Sequence, residues 1–390
     1  MEKLRVKLLA FPAADLNVYS KGKRRLQKLF HQDQVEFVDS NPEVLVFLTG
    51  GSERIALESV QEFGFYLLLA SADENSWAAA TEVKAWMNQN NISSILVDQS
   101  CKYAASLIDN LFHVKNGLNQ LKGKRFGLVG SSSEWLVNSN VNPFIIKTKL
   151  GVEQIDIPWN QVIVDEDKKV DADFINFFRN DTNNEPLQAS GSVYEALANL
   201  VRDNGLNALT VECFTFINSC NTTACLALSK LSMDGIPAGC EGDICSMLGM
   251  MITYELFGIV PWQANVGFVK DQKVTFAHCT APANILEHFE LDTHFETGKG
   301  LALNGKLKAE EVTILRLDHT LSKMFIAKGK VTKTHSKGAM CRTRVTVEVD
   351  ERVTSYFINN PLGNHHLIIP GDYVVGLELA CRMLKMELVD

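Results

Sequence analysis

Glu241 lies in the run Gly235-Ile236-Pro237-Ala238-Gly239-Cys240-Glu241-Gly242-Asp243-Ile244-Cys245-Ser246-Met247-Leu248. The run reads as a short apolar strand, a Gly-flanked turn and the first turn of a helix. In an α/β sheet that order sets Glu241 at the carboxyl end of a strand, where such folds place their ligands. His278 closes another strand-like run, before the Pro-limited turn Cys279-Thr280-Ala281-Pro282, and His365 and His366 follow Pro361-Leu362-Gly363-Asn364. A carboxylate and two imidazoles with open coordination positions suit a divalent metal that handles oxygen ligands. The intervals between them match no compact motif, so at each histidine a hydrogen-bonded structural role stays open.

Further candidates surround that set. Ser131-Ser132-Ser133-Glu134-Trp135 follows a strand and ends in a tryptophan that serves either as a sugar-stacking platform or as core. Trp262-Gln263-Ala264-Asn265 lies just past Pro261. Arg316 and Arg342, on β-type segments, either fix substrate oxygens or are solvated edge charges. Thr49-Gly50-Gly51-Ser52 offers backbone amides at a helix start but lacks a complete phosphate-binding pattern.

These side chains need a scaffold, and the chain changes grammar twice. Residues 1–118 alternate strand-like and helix-like runs, which predicts a parallel sheet in a doubly wound layer. Residues 119–255 begin again with a strand, a Gly-Ser loop and a helix, and form a second α/β domain that carries Glu241. Within it, 162–187 reads as a helix with a long surface loop, 207–216 as a buried strand and 222–233 as an apolar helix. Residues 256–390, with His278 and His365, hold short strands separated by Gly, Asp-His and Lys-Gly turns and a closing helix over 372–386. The expected fold is therefore two doubly wound Rossmann-like domains followed by a C-terminal β-rich, antiparallel barrel-like domain.

Composition bounds the function. The 390 residues are 46% hydrophobic and 22% charged, with a net charge of −8, which argues against a nucleic-acid-binding face. No apolar run is long enough to span a membrane, and the charged amino-terminal segment lacks the core of a signal peptide. Nine cysteines without paired C-x-x-C spacings fit small buried hydrophobes in a reducing cytoplasm.

Several of these segments, taken in order, resemble the L-fucose isomerase and L-arabinose isomerase superfamily. They are Ile236-Pro237-Ala238-Gly239-Cys240-Glu241-Gly242-Asp243, the His278-Cys279 turn, His294-Phe295-Glu296-Thr297-Gly298-Lys299-Gly300, Val312-Thr313-Ile314-Leu315-Arg316, and Asn364-His365-His366 before Pro370-Gly371-Asp372. The resemblance covers roughly residues 119–390. It implies two α/β domains before a β-rich one, a homo-oligomer, a divalent cation (usually Mn2+) and the interconversion of an aldose and a ketose through an enediol. It also implies that Glu241 is a metal-binding carboxylate that moves a proton, that His365 and His278 are metal-binding imidazoles, and that His366 is their neighbour. The family's second acidic ligand falls on Asn265, whose amide offers one neutral oxygen and can neither carry negative charge nor shuttle a proton. Asn265 thus holds a metal and catalytic position with altered chemistry, and Trp135, Arg316, Arg342 and His366 stand as substrate-binding candidates. The alternative is an intracellular sugar-binding or sensing protein with a degenerate, weakly active metal site.

Overall fold

Four consecutive buried residues, Val44–Phe47, mark a strand covered on both faces, as parallel sheets require. A computed structural model describes residues 1–389 apart from 28, 63, 166–169, 180–183 and 335–339. It is a mixed α/β structure with two parallel sheets and a C-terminal closed antiparallel barrel of six strands. The chain divides into two compact units, one of residues 1–116 and 375–385 and one of 117–374 and 386–390.

The first unit is built on β1 (Leu4–Leu9), β2 (Val35–Phe37), β3 (Val44–Phe47), β4 (Phe65–Ala70) and β5 (Ser93–Asp98). All pair in parallel, in the order β2-β1-β3-β4-β5. Leu9, Leu45, Phe47 and Leu68 pack there against Ala79, Ala80, Val83 and Met87 of the helix Ser76–Gln89.

In the second unit β6 (Arg125–Val129), β7 (Glu153–Ile157), β8 (Ala208–Val211) and β9 (Ala238–Cys240) form a parallel sheet in the order β7-β6-β8-β9. After β8 the apolar run continues, but as the helix Cys213–Cys220 rather than as more strand. Its buried residues Cys213, Phe216 and Ile217 recur with helical spacing, which a short apolar stretch does not separate from a buried strand. In the 162–187 segment a helix spans Ala172–Phe178, and part of the expected loop lies outside the described residues. The helix Cys225–Met233 matches expectation and leads into β9.

The barrel follows. It consists of β10 (Trp262–Lys270), β11 (Lys273–His278), β14 (Glu311–Leu317), β15 (Lys323–Thr334), β16 (Thr343–Glu348) and β17 (His365–Pro370), with the hairpin of β12 (Leu286–Asp292) and β13 (Ala302–Leu307) between β11 and β14. The order runs β14-β17-β10-β11-β16-β15, and β15 pairs back onto β14, so the ring closes without a free edge. Trp262 and Ala264 of β10 point inward with Phe276, Ile314, Phe325, Val345 and Ile368, as period-2 alternation demands. The helix Glu351–Asn359, capped by Asp350, adds Val353, Tyr356 and Phe357 to that core. The closing helix is shorter than expected, Val374–Met383, and is followed by β18 (Glu387–Val389), which pairs in parallel with β15. Among the described residues, no helix is long and apolar enough to cross a membrane.

Candidate active site

Glu241 directly follows β9 and takes a φ of +63°, a region that disfavours any residue with a Cβ. Gly242 follows at +65°, where an added Cβ would meet the carbonyl oxygen of Ser131 at 2.3 Å. The turn is tied down on every side. Gly242 N–H donates to the Val211 carbonyl (3.1 Å), Ser133 N–H to that of Glu241 (2.9 Å) and Ser132 Oγ to that of Gly242 (2.7 Å). A left-handed glutamate costs about 1–3 kcal/mol that glycine would not. The strain therefore points to a use for the side chain.

That side chain is nearly buried and divided between two environments. Trp135 Nε1 donates to Oε2 at 2.6 Å. On the other side, His278 Nε2 and His365 Nε2 each stand 3.8 Å from Oε1. Both ring nitrogens are buried and have no hydrogen-bond partner. The rings meet edge to face with centroids 5.4 Å apart.

Behind His365 lies a fully buried ionic relay. Asp243 caps the helix Ile244–Phe257, its Oδ1 accepting from Ser246 N–H at 2.7 Å. Its Oδ2 contacts both His365 Nδ1 and Arg316 Nη1 at 2.9 Å. Arg316 also donates to Ser246 Oγ (3.1 Å) and Ser139 Oγ (2.7 Å). Burial pushes the Asp243 carboxyl up, but the Arg316 charge and the His365 and Ser246 hydrogen bonds outweigh it and hold the group far below the usual carboxylate range. Asp243 is therefore an anion, and the stronger acceptor for His365 Nδ1–H. The Gln263 amide, 3.2 Å from the same nitrogen, is already engaged by the backbone N–H and C=O of Cys240. With its proton on Nδ1, His365 presents a bare Nε2 toward Glu241.

Burial, then the neighbouring His365 and His294, push His278 well below the ordinary histidine range, so its ring is neutral. Thr280 N–H approaches its Nδ1 only to 3.4 Å, too long to fix the tautomer. One carboxylate oxygen and two unsatisfied imidazole nitrogens fit a divalent cation, and a satisfied core would not leave those nitrogens orphaned. Cys240 Sγ lies within 4.8 Å of the Glu241 and His278 donor atoms, but it packs against Cys213 Sγ at 2.7 Å.

The other sequence candidates fall in distinct places. Asn265 sits across the strands from His365 and Ala277, and its carboxamide oxygen accepts from Asn364 Nδ2. His366 pairs with Ala264 and faces the barrel core. Both of its nitrogens are engaged, Nε2 with the Tyr356 hydroxyl (2.9 Å) and Nδ1 with the Asn364 carbonyl (3.1 Å). Arg316 is not a solvated edge charge but the buried partner of Asp243. Arg342 is tied to the Thr293 carbonyl (2.7 Å) and to Asp292 (3.4 Å) beside the Phe295 ring.

Three residues that spacing did not single out join the site. Asp243 orients His365. Phe214 and the buried His294 extend a wall from Trp135, with edge-to-face contacts at 4.8 Å (Trp135–Phe214) and 5.5 Å (Phe214–His294). The signal for Asp243 was its place two residues after Glu241, where it reads as an ordinary helix cap. For His294 it was the Thr-His-Phe-Glu-Thr-Gly run.

Fold and side chains together define an α/β protein with a buried carboxylate–imidazole centre set between a parallel sheet and a closed barrel. The chain is similar to the sulfoquinovose isomerases of Priestia aryabhattai and Priestia megaterium, each 27% identical over 301 residues, 71% of this chain and 66% of the relative. It is also 22% identical over 319 residues to the sulfoquinovose isomerase of Alkalicoccus urumqiensis, covering 73% of this chain and 70% of the relative. The match thus spans just under two thirds of the length of the Priestia proteins. No family model matches the chain.

Proposed function

We propose that this protein is an aldose–ketose isomerase, using a divalent cation held by Glu241, His278 and His365 and acting on a hexose related to sulfoquinovose. The observation that carries the reading is the pair of buried, partnerless Nε2 atoms, each 3.8 Å from the same Glu241 oxygen. The similarity to proteins named sulfoquinovose isomerase supports the reaction class. When bound, the cation supplies Lewis-acid polarisation of the sugar's carbonyl and hydroxyl oxygens.

The chain's own groups do the rest. Trp135 Nε1 fixes one Glu241 oxygen, leaving the carboxylate the base that moves a proton between C2 and C1. Asp243 sets the tautomer and orientation of His365, and Arg316 keeps Asp243 ionised. The rings of Trp135, which is half exposed, Phe214 and His294 offer an aromatic face against which a sugar ring packs. Asn265, held by Asn364, supplies a neutral oxygen where the resembled family has an acid, so one carboxylate serves both directions of proton transfer.

The test is conversion of sulfoquinovose, with L-fucose and L-arabinose as comparison aldoses, by manganese-loaded protein and its Glu241→Gln variant. Ketose formation that is lost in the variant supports the reading. Stoichiometric manganese without turnover of any of these sugars would contradict it.

A further inference from the structure

His278 and Cys279 are consecutive at the end of β11, and successive side chains of extended backbone point to opposite sides. His278 faces Glu241, whereas Cys279 faces Cys341 and Glu296. The two sulfurs and a carboxylate oxygen all lie within 4.8 Å of one another. Cys341 Sγ is 3.2 Å from Glu296 Oε1, and the other oxygen, Oε2, is held 3.3 Å from His294 Nε2. His294 in turn has its Nδ1 3.0 Å from Thr297 Oγ1, so its Nε2 is aimed by a contact behind it. A contact that orients a carboxylate from behind is a feature that metal sites use to fix their donors.

We propose that Cys279, Cys341 and Glu296 form a second metal site, for a thiophilic divalent cation such as zinc, separate from the Glu241 centre and structural in role. Two sulfurs and one carboxylate oxygen form a soft donor set that selects zinc over manganese or magnesium. Both cysteines are buried and free, while Glu296 is exposed, which leaves the Glu296 side as the way in for an ion. Binding displaces the thiol protons into solution. The ion would join three segments distant in sequence: the end of β11, the entry to β16 and the β12–β13 connection that carries His294. That connection supplies part of the aromatic wall, so the second site would hold the first in shape.

The test is metal analysis and cobalt substitution of the full chain purified under reducing conditions without chelator. One zinc per chain is expected, retained in Glu241→Gln. Cobalt-loaded protein should show a thiolate-to-cobalt charge-transfer band, retained in Glu241→Gln and in Cys240→Ser and lost in Cys279→Ser/Cys341→Ser. Glu296→Gln, a surface change that leaves both sulfurs in place, should weaken zinc binding about 10–100-fold, the effect of losing one supporting or ligating group. Absence of zinc and of the band would overturn the proposal. So would a band lost in Cys240→Ser, unchanged zinc affinity in Glu296→Gln, or a native mass lower by two hydrogens, which would make the pair a disulfide. None of these outcomes depends on isomerase activity.

Discussion

Glu241 occupies backbone space that glycine would occupy at lower cost, and that fact has a thermodynamic consequence. Glu241→Gly should raise the stability of the metal-free protein by about 1 kcal/mol, the order of the left-handed penalty, while turnover is lost. Urea unfolding of the apo proteins measures it, and a fall in midpoint would show that the turn depends on the glutamate's own contacts. Asp243 behaves in the opposite way. Asp243→Asn leaves the fully buried Arg316 charge without its counterion and should cost about 3–5 kcal/mol. It also frees His365 from its fixed tautomer, and metal affinity should fall about 10–100-fold by calorimetric titration. The two adjacent histidines show where sequence reading stops at this scale. Residue type and spacing do not separate His365 from His366; the resemblance assigns them different roles, and the pairing of β17 with β10 turns the first toward Glu241 and the second into the barrel. The strand, turn and helix around Glu241 were legible because turn chemistry is local. Asp243 was not, because a helix cap and an ionic relay look the same until Arg316 arrives from β14.

At the scale of elements, the turn between β14 and β15 makes the pairing that closes the barrel. Asp318 organises it, Oδ1 accepting from the N–H groups of Ser322 (2.7 Å) and Lys323 (2.6 Å) and Oδ2 from that of Thr320 (3.1 Å). Burial raises its pKa, but these hydrogen bonds, led by the Thr320 hydroxyl, outweigh burial, and the net shift is downward. A carboxylate depressed on folding contributes stability above its unfolded value, near pH 4, and loses that contribution as the pH falls through the folded value. Asp318→Asn should therefore lower the melting temperature at pH 7 and flatten its decline below about pH 4. Parallel melts of both proteins across that range check this, and equal slopes would contradict it. The sheets and the barrel were legible from alternation and turn residues. The helix Cys213–Cys220 was not, since a run of eight residues with few apolar positions satisfies either period. Nor was β18, because its pairing with β15 depends on a strand more than fifty residues earlier.

For the whole molecule, the site is assembled from the loop after β6, the turn after β9, the end of β11 and the start of β17. No window of sequence contains it. A cation held by the last three of these segments should stabilise the folded state by mass action. Manganese at a hundred times its dissociation constant should add about 2.7 kcal/mol, seen as a raised calorimetric midpoint in wild type and absent in His365→Ala. The central claim concerns proton transfer at Glu241, and solvent labelling reads it most directly. Manganese-loaded protein would be incubated with sulfoquinovose in D2O and followed by proton NMR. The expected result is ketose whose C1 hydrogen is shared between that carried over from C2 by the single base and solvent deuterium, with neither ketose nor exchange in Glu241→Gln. Ketose formed equally well by Glu241→Gln would contradict the account.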